Sequence, residues 1–445
     1  MFGYKPATKL AFVGILAVVL PALPCFADSQ ARIVRLSDVQ GSVQIDRAVG
    51  QGYEKAFLNL PITQGAKVQT KDGRAQIEFE DGSTLRITPD TVLQFSDLLL
   101  RDSGARVSTV HVQEGKAYVN FHGTKDDELT LTFGREKAVI TQAAHVRLEM
   151  GDAQASLAVF NGVVEIEGPF GKMEVAKNHT LTLDLADPKR YTTAKWVDDD
   201  PYDAWDKQQD QYQQRYASTQ HGLSSGYGNS DLNYYGSFTD VPGYGTLWQP
   251  YLAGAGWDPF MDGAWAFNPG FGYGWVSAYP WGWTPYYSGE WMFVPGYGWM
   301  WEPGAWGGLG FFPTIVNPPL GYGTPRPPNI PGQRIIPVNH TTTPVPATDR
   351  GKMTLVNNSA GLGIPRGGIK NLPELSHTVQ ERGSAITKVG SIGPTTRATW
   401  WGGGFSNSGY SASAPHSMAG SGYHSSGMGG MHSSGGGGHA GGGHR

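Results

Sequence analysis

Three gapless copies of one aromatic unit, lying between residues 236 and 303, constrain this chain more than any other feature. The first runs from Gly236 through Phe238 and Pro242-Gly-Tyr-Gly245 to Trp248. The second runs from Gly263 through Trp265 and Pro269-Gly-Phe-Gly272 to Trp275, and the third from Gly289 through Trp291 and Pro295-Gly-Tyr-Gly298 to Trp301. The copies are offset by 27 and then 26 residues, and the lead-in Trp257-Asp-Pro-Phe260 is answered by Trp283-Thr-Pro-Tyr286. A repeat of this length is one supersecondary unit that needs its neighbours to bury an apolar face. Trp265/Phe267 and Trp291/Phe293 alternate as strand residues do, and Pro-Gly suits the centre of a type II turn, where glycine supplies positive φ. Each copy is therefore predicted to be a β-hairpin with its last tryptophan on the returning strand.

Ten of the fourteen tryptophans lie between Trp248 and Trp306, more than one small core usually consumes. Two readings follow. The rings build a core poor in aliphatic side chains, or some form a stacking surface for sugars or extended peptides. The candidates for that surface are the equivalent residues Trp265, Trp275, Trp291 and Trp301. Nucleic acid is excluded as a partner of this module, because no Lys or Arg occurs between Arg215 and Arg326 and the whole chain carries a net charge of −4.

Residues 28–190 read as strands. Ala75, Ile77 and Phe79 alternate with polar residues, Asp81-Gly82 turns the chain, and Leu85 and Ile87 resume the alternation. The pattern recurs through Val110/Val112, Val119/Phe121, Leu129/Leu131/Phe133 and Leu157/Val159, and a second turn signal, Asn161-Gly162, leads into Val164 and Ile166. Both dipeptides predict hairpins, since a type I′ turn needs positive φ at its centre. Many short strands without a long amphipathic helix predict an all-β sandwich or roll.

These residues resemble a known family. The runs Gly41-Ser-Val-Gln-Ile-Asp-Arg47, Val68-Gln-Thr70 and Arg74 to Ile87, with Ala155 to Ile166, look like the FecR extracytoplasmic domain. The resemblance implies architecture, carried by turn glycines and core-facing apolar residues. FecR-type regulators hold a sigma factor with a cytoplasmic segment ahead of their membrane span. Here only nine residues precede the apolar run Leu10–Leu20, so that activity is not expected. The repeat module, including Trp281-Gly-Trp-Thr-Pro-Tyr286, resembles an uncharacterised Trp/Pro/Gly-rich family that follows FecR domains in exported bacterial proteins.

The N-terminus has Lys5 and Lys9, then the short apolar run, then Pro21, Pro24 and Ala27. That is the pattern of a signal peptide over residues 1–27, too short to span a membrane. Cleavage there removes Cys25, the only cysteine, and leaves no thiol chemistry. Residues 198–220 predict a connector helix, with Asp200 as N-cap, Pro201 in the first turn, and Tyr202, Trp205, Tyr212 and Tyr216 on one face opposite Gln and Asp. Residues 313–400 read as a Pro-rich linker with a short helix starting near Pro373, and the Gly/Ser/His-rich residues 401–445 as a disordered tail. The low-complexity text around residues 222–229 predicts that the two β regions fold separately.

Chemistry is weakly signalled. Gly222-Leu-Ser-Ser-Gly226 fits a nucleophile-elbow pattern but follows a helix rather than a strand. Asp258, Asp262, Glu290 and Glu302 are scattered singly over the repeat alignment, as surface acids are. Tail residues His416, His424, His432, His439 and His444 lack a fixed frame for metal. The expectation is a mainly β, non-enzymatic exported protein without cofactor: FecR-like domain, connector helix, repeat domain (230–312) and tail. Its place is the periplasm or cell surface, its role binding or structural, with cell-wall polysaccharide or an envelope protein as candidate partner. The alternatives are an envelope signalling partner and a glycan-active hydrolase.

Overall fold

The computed structural model describes residues 3, 32–124, 126–217, 228–329, 334–339 and 351–390. The predicted tail (401–445), the Gly222–Gly226 string and, apart from residue 3, the predicted signal peptide (1–27) lie outside the described residues.

The β domain is two antiparallel-rich sheets around one aliphatic core. A single long strand, Arg106–Phe121, belongs to both. Its first half pairs with Val92–Leu100 and, in parallel, with Glu128–Phe133; its second half pairs with Thr84–Ile87 and Ala144–Met150. The change of sheet falls at Gly115, whose φ is +88°. A Cβ there would lie 2.4 Å from the Asp90 carbonyl, so only glycine lets the strand bend this closely over its neighbour. The alternating residues meet between the sheets, where Ile77, Leu85, Val112, Val119, Leu131, Leu148, Leu157 and Ile166 are fully buried.

Both turn signals act, but not as two-residue hairpins. Residues 74–78 and 84–87 pair as expected. The ladder continues through Phe79 N–H to the Ser83 carbonyl (2.8 Å), giving a three-residue loop in which Gly82 alone has positive φ, +82°. Asp81 receives the Ser83 N–H (3.0 Å) and O–H (2.8 Å). This is a type I turn ending in a left-handed glycine. The Asn161-Gly162 expectation needs a larger correction. Strand Gln154–Asn161 pairs with Ala144–Met150 and His179–Asp184, whereas Val163–Gly168 pairs with Glu136–Ile140 and Gly171–Ala176. Gly162 (φ +83°) therefore passes the chain from one sheet to the other, with the Ala143 carbonyl 2.5 Å from where a Cβ would stand.

The three repeats are hairpins: Gly236–Val241 with Gly245–Pro250, Asp262–Asn268 with Gly272–Ser277, and Ser288–Val294 with Gly298–Trp306. Their turns are alike. Tyr244, Phe271 and Tyr297 each donate N–H three residues back at 3.0 Å, and Gly243, Gly270 and Gly296 have φ of 83°, 81° and 83°. The first and third hairpins join edge to edge at Trp248 and Trp301, while the second pairs with Ile336–Asn339.

Four helices stand among the described residues: α1 (Asp203–Tyr216), α2 (Asn229–Tyr235), α3 (Thr284–Tyr287) and α4 (Leu372–Arg382). The connector helix starts later than expected, with Tyr202 at its N-cap. Asp200 instead braces the preceding turn by accepting the Tyr202 N–H at 2.8 Å. The linker expectation for residues 313–400 is corrected over 351–390. Lys352–Val356 and Ser384–Lys388 form a hairpin around α4, and Met353, Leu355, Ile364, Ile369 and Val379 enter the same core as the repeat tryptophans. Pro373 stands in the first turn of α4, as expected. None of the helices is long and apolar enough to cross a membrane.

Candidate functional site

The residues proposed as a stacking surface are core. Trp265 and Trp275 are 5% and 3% exposed, and Trp291 and Trp301 are fully buried, so none has the open face that stacking on a sugar requires. The reason is built into the repeat. Each opening glycine lies under the closing tryptophan: a Cβ on Gly236 would be 2.3 Å from the Trp248 ring, and one on Gly263 would be 2.5 Å from the Trp275 ring. At Gly289 it would be 2.8 Å from the Trp301 indole nitrogen. Buried indoles are also tied to backbone. Trp248, Trp291 and Trp301 donate to the carbonyls of Leu232 (3.1 Å), Pro285 (3.0 Å) and Ser288 (2.9 Å). What the repeats leave exposed are the rings at the turn tips, Tyr244, Phe271 and Tyr297.

The expectation of two separately folding regions is corrected as well, because the described residues from 32 to 390 belong to one compact unit. At its centre is a knot of buried charge. Asp231 on α2 is fully buried and receives Arg35 at 2.6 Å, Nε (2.9 Å) and Nη2 of Arg366, and the Tyr212 hydroxyl at 2.8 Å. Arg35 also donates to Glu78 (3.2 Å), Asn59 (2.9 Å) and the Pro280 carbonyl (2.7 Å). Asn59 in turn donates to the carbonyls of Ser277 and Tyr279. Sheet, connector helix, repeat module and C-terminal segment thus meet on one carboxylate. Burial pushes Asp231 up, but Arg366 and Arg35 outweigh it and hold the carboxyl below its ordinary range. At Glu78 burial wins and its carboxyl is raised.

A second junction fixes α1 to the β domain. Three polar residues of this helix, Asp206, Gln209 and Asp210, are buried along with Trp205 and Tyr212 of the aromatic stripe. Arg86 reaches Asp206 and Asp210 at 2.6 Å each, His145 meets Asp206 at 2.7 Å, and Arg147 meets Asp203 at 2.6 Å. His145, Asp206 and Asp210 bring ligand atoms within 4.8 Å of one another. A fixed guanidinium already bonds both carboxylates, so this donor set suits a salt bridge and not a metal ion. Sequence reading missed both junctions. For the first a signal existed: residues 216–325 hold no Lys or Arg, so a buried acid there must take any such partner from another region.

Of the acids weighed for hydrolysis, Glu290 and Glu302 are not scattered. They are direct cross-strand partners in the third hairpin, and burial together with Glu290 raises the Glu302 carboxyl. Such neighbours share a proton readily, but they sit side by side on one sheet face rather than across a cleft. Asp262 is buried and accepts the Tyr279 hydroxyl at 3.3 Å.

A groove of about 850 Å³ lies between α1, α4 and the strand Ser384–Lys388. That volume lies within the roughly 300–1,000 Å³ of small-molecule sites. Arg215, Lys370 and Lys388 line it and are exposed, and the acid among its lining residues is Glu374. Tyr212, Tyr216 and Gln209 form part of its α1 wall. This groove, and not the tryptophan repeat, is the candidate site.

Comparison with known proteins places two of the regions. Residues 66–165 match the family model described as FecR protein, and residues 229–319 match a family of unknown function, DUF6600. Two crystal structures of a "putative anti-sigma factor" from Parabacteroides distasonis ATCC 8503, at 2.50 and 1.65 Å resolution, are similar at 15% and 16% identity, each with a TM-score of 0.27. Each similarity covers 31% of this chain and 63% of that chain. No curated protein matches. The β domain is FecR-like, and the aromatic hairpins that follow it coincide with the DUF6600 match.

Proposed function

We propose that this chain is an exported, non-enzymatic protein of the bacterial envelope, in which the FecR-like domain and the aromatic module act as one folded body with a binding or structural role. The carrying observation is how the ionisable groups are spent. Asp231, Glu78, Asp206 and Asp210 are buried against Arg35, Arg366 and Arg86 and hold regions together. Catalytic acids and bases need the reverse, a perturbed group facing a cleft where substrate sits. The groove between α1 and α4 is lined by cations, amides and tyrosines with the acid Glu374, a lining suited to binding. The FecR match supports a place in the envelope, the periplasm or the cell surface, and it also supports a second reading as a partner in envelope signalling.

The test is fractionation of cells expressing the full chain, then retention of the purified protein on insoluble cell-wall material. Recovery in the envelope or medium, with saturable retention and no glycan breakdown over hours, is the expected result. Release of reducing sugar that is lost in Glu290→Gln or Glu302→Gln would replace this reading with hydrolysis. Co-purification with a membrane receptor, without wall retention, would favour signalling.

A further inference from the structure

We propose that the groove between α1 and α4 binds a carboxylate-bearing oligosaccharide; this rests on the binding role proposed above and names its ligand class. The charge comes first. Arg215, Lys370 and Lys388 converge on the groove from a helix end, a loop and a strand, and among the described residues none has an acidic partner. Three unpaired cations around one groove, with Glu374 as the acid, leave it positive and favour an anion. Helix α4 begins on the same wall at Asn371, which makes no side-chain cap, so its first-turn N–H groups add positive partial charge.

An independent observation lies on the α1 wall. Gln209 lines the groove and is 2% exposed, yet its Oε1 has no hydrogen-bond partner. A buried acceptor without a donor costs about 1–3 kcal/mol, and turning this amide toward a ligand hydroxyl in the groove would relieve it. Gln208, Gln211 and Asn371 add amides, and the half-buried Tyr216 adds a ring. Amides, a ring edge and cations together suit a sugar that carries both hydroxyls and carboxylates. An acidic peptide would use the cations but leave the amide-rich wall without hydroxyl partners.

The experiment is calorimetric titration of the full chain with tetragalacturonate, cellotetraose, hexaglutamate and inorganic phosphate. Tetragalacturonate should bind, with cellotetraose and hexaglutamate each at least about tenfold weaker and phosphate not competing at equal concentration. The double variant Lys370→Glu, Lys388→Glu changes exposed residues and should keep the parent melting temperature while losing about tenfold or more in affinity. Should that pair disturb folding, Lys370→Gln with Lys388→Gln should show a smaller loss in the same direction. Gln209→Leu should melt no lower than the parent in the free state and still bind more weakly. Hexaglutamate binding as tightly as the sugar, phosphate displacing it, or affinity surviving the charge reversal would each overturn the proposal. So would no heat with folded protein. If wall retention persists through those failures, the broader binding role stands and only the groove is wrong.

Discussion

The β domain and the aromatic module are both made of antiparallel strands, yet they fill their interiors by opposite means. In the β domain the core is almost wholly Val, Ile, Leu and Ala with a few phenylalanines, each contributing modest area from an alternating strand position. In the module the core is Trp257, Trp265, Trp281, Trp291, Trp301 and their tyrosine neighbours, packed edge to face and in stacks such as Tyr279 on Trp281. Large rings bury ~150–250 Å² each, so few residues suffice. Strands alone could not make room for them. The glycines beneath the rings do, by removing the Cβ that would collide. The lesson is that an aliphatic core distributes its stability over many interchangeable positions, whereas a glycine-and-tryptophan core concentrates it in matched pairs.

The largest effect should come where the two cores are tied. Asp231→Ala strands Arg35 and Arg366 in the interior, and breaking a buried pair typically costs ~3–5 kcal/mol. Calorimetry of the parent should show the β domain and module melting together, and of Asp231→Ala two separated transitions at lower temperature. A parent that already melts in two steps would mean the knot does not couple the regions. Within the module, Trp301→Ala should cost ~3–5 kcal/mol, against ~0.5–1.5 for Ile166→Val in the β domain, read from denaturant midpoints.

Acid should attack both junctions, and the sign follows from the shifts. Burial raises Asp206, but Arg86 and His145 outweigh it and hold its carboxyl low, as Arg366 and Arg35 do for Asp231. A carboxyl depressed by folding contributes stability that is present above its unfolded value near ~3.9 and is lost as pH falls through the folded value. The melting temperature should therefore drop steeply below about pH 4. Glu78 runs the other way. Its raised carboxyl contributes stability below its unfolded value, lost as pH rises through the folded one. Glu78→Gln, which keeps an acceptor for the Gly228 N–H, should fall within about 1 kcal/mol of the parent at pH 7. A steep loss there would show that Arg35 depends on Glu78 despite its bonds to Asp231, Asn59 and Pro280.

Much of this architecture was legible in the sequence because it obeys short-range rules. Period-two alternation marked the strands whose residues fill the aliphatic core, and Pro-Gly marked the three module turns. What was not legible depends on partners far apart in the chain. Asn161-Gly162 reads as a hairpin because positive φ is local, but which sheet Val164 and Ile166 join is decided by their partners Val175 and Ala138. The α1 acids read only as the polar residues of an amphipathic helix, and the sheet behind them supplies Arg86 and Arg147. Arg366 lies in text that looks like linker, and nothing nearby announces its partner 135 residues earlier. The groove depends on the same long-range folding of 351–390 onto α1, so its cations appear in the sequence as ordinary surface charges.

The smallest expected effects separate the two kinds of glycine and so sharpen the comparison of cores. Gly82 in the β domain is conformational: its φ is +82°, and a Cβ there meets nothing within 4 Å. Gly263 in the module is steric: it lies outside the positive-φ set, but a Cβ would stand 2.5 Å from the Trp275 ring and 2.6 Å from the Val276 carbonyl. Gly82→Ala should therefore cost ~1–2 kcal/mol, most of it recovered in Gly82→Asn, because asparagine tolerates the left-handed region. Gly263→Ala should cost ~1–3 kcal/mol by overpacking, with Asn at least as harmful as Ala. Only the second should depend on the ring above it. In a double-mutant cycle with Trp275→Phe, Gly263→Ala should couple by more than about 0.5 kcal/mol, and Gly82→Ala should add independently. Coupling at neither position would mean that the repeat glycines are there for their backbone freedom, and the paired-core account of the module would fail.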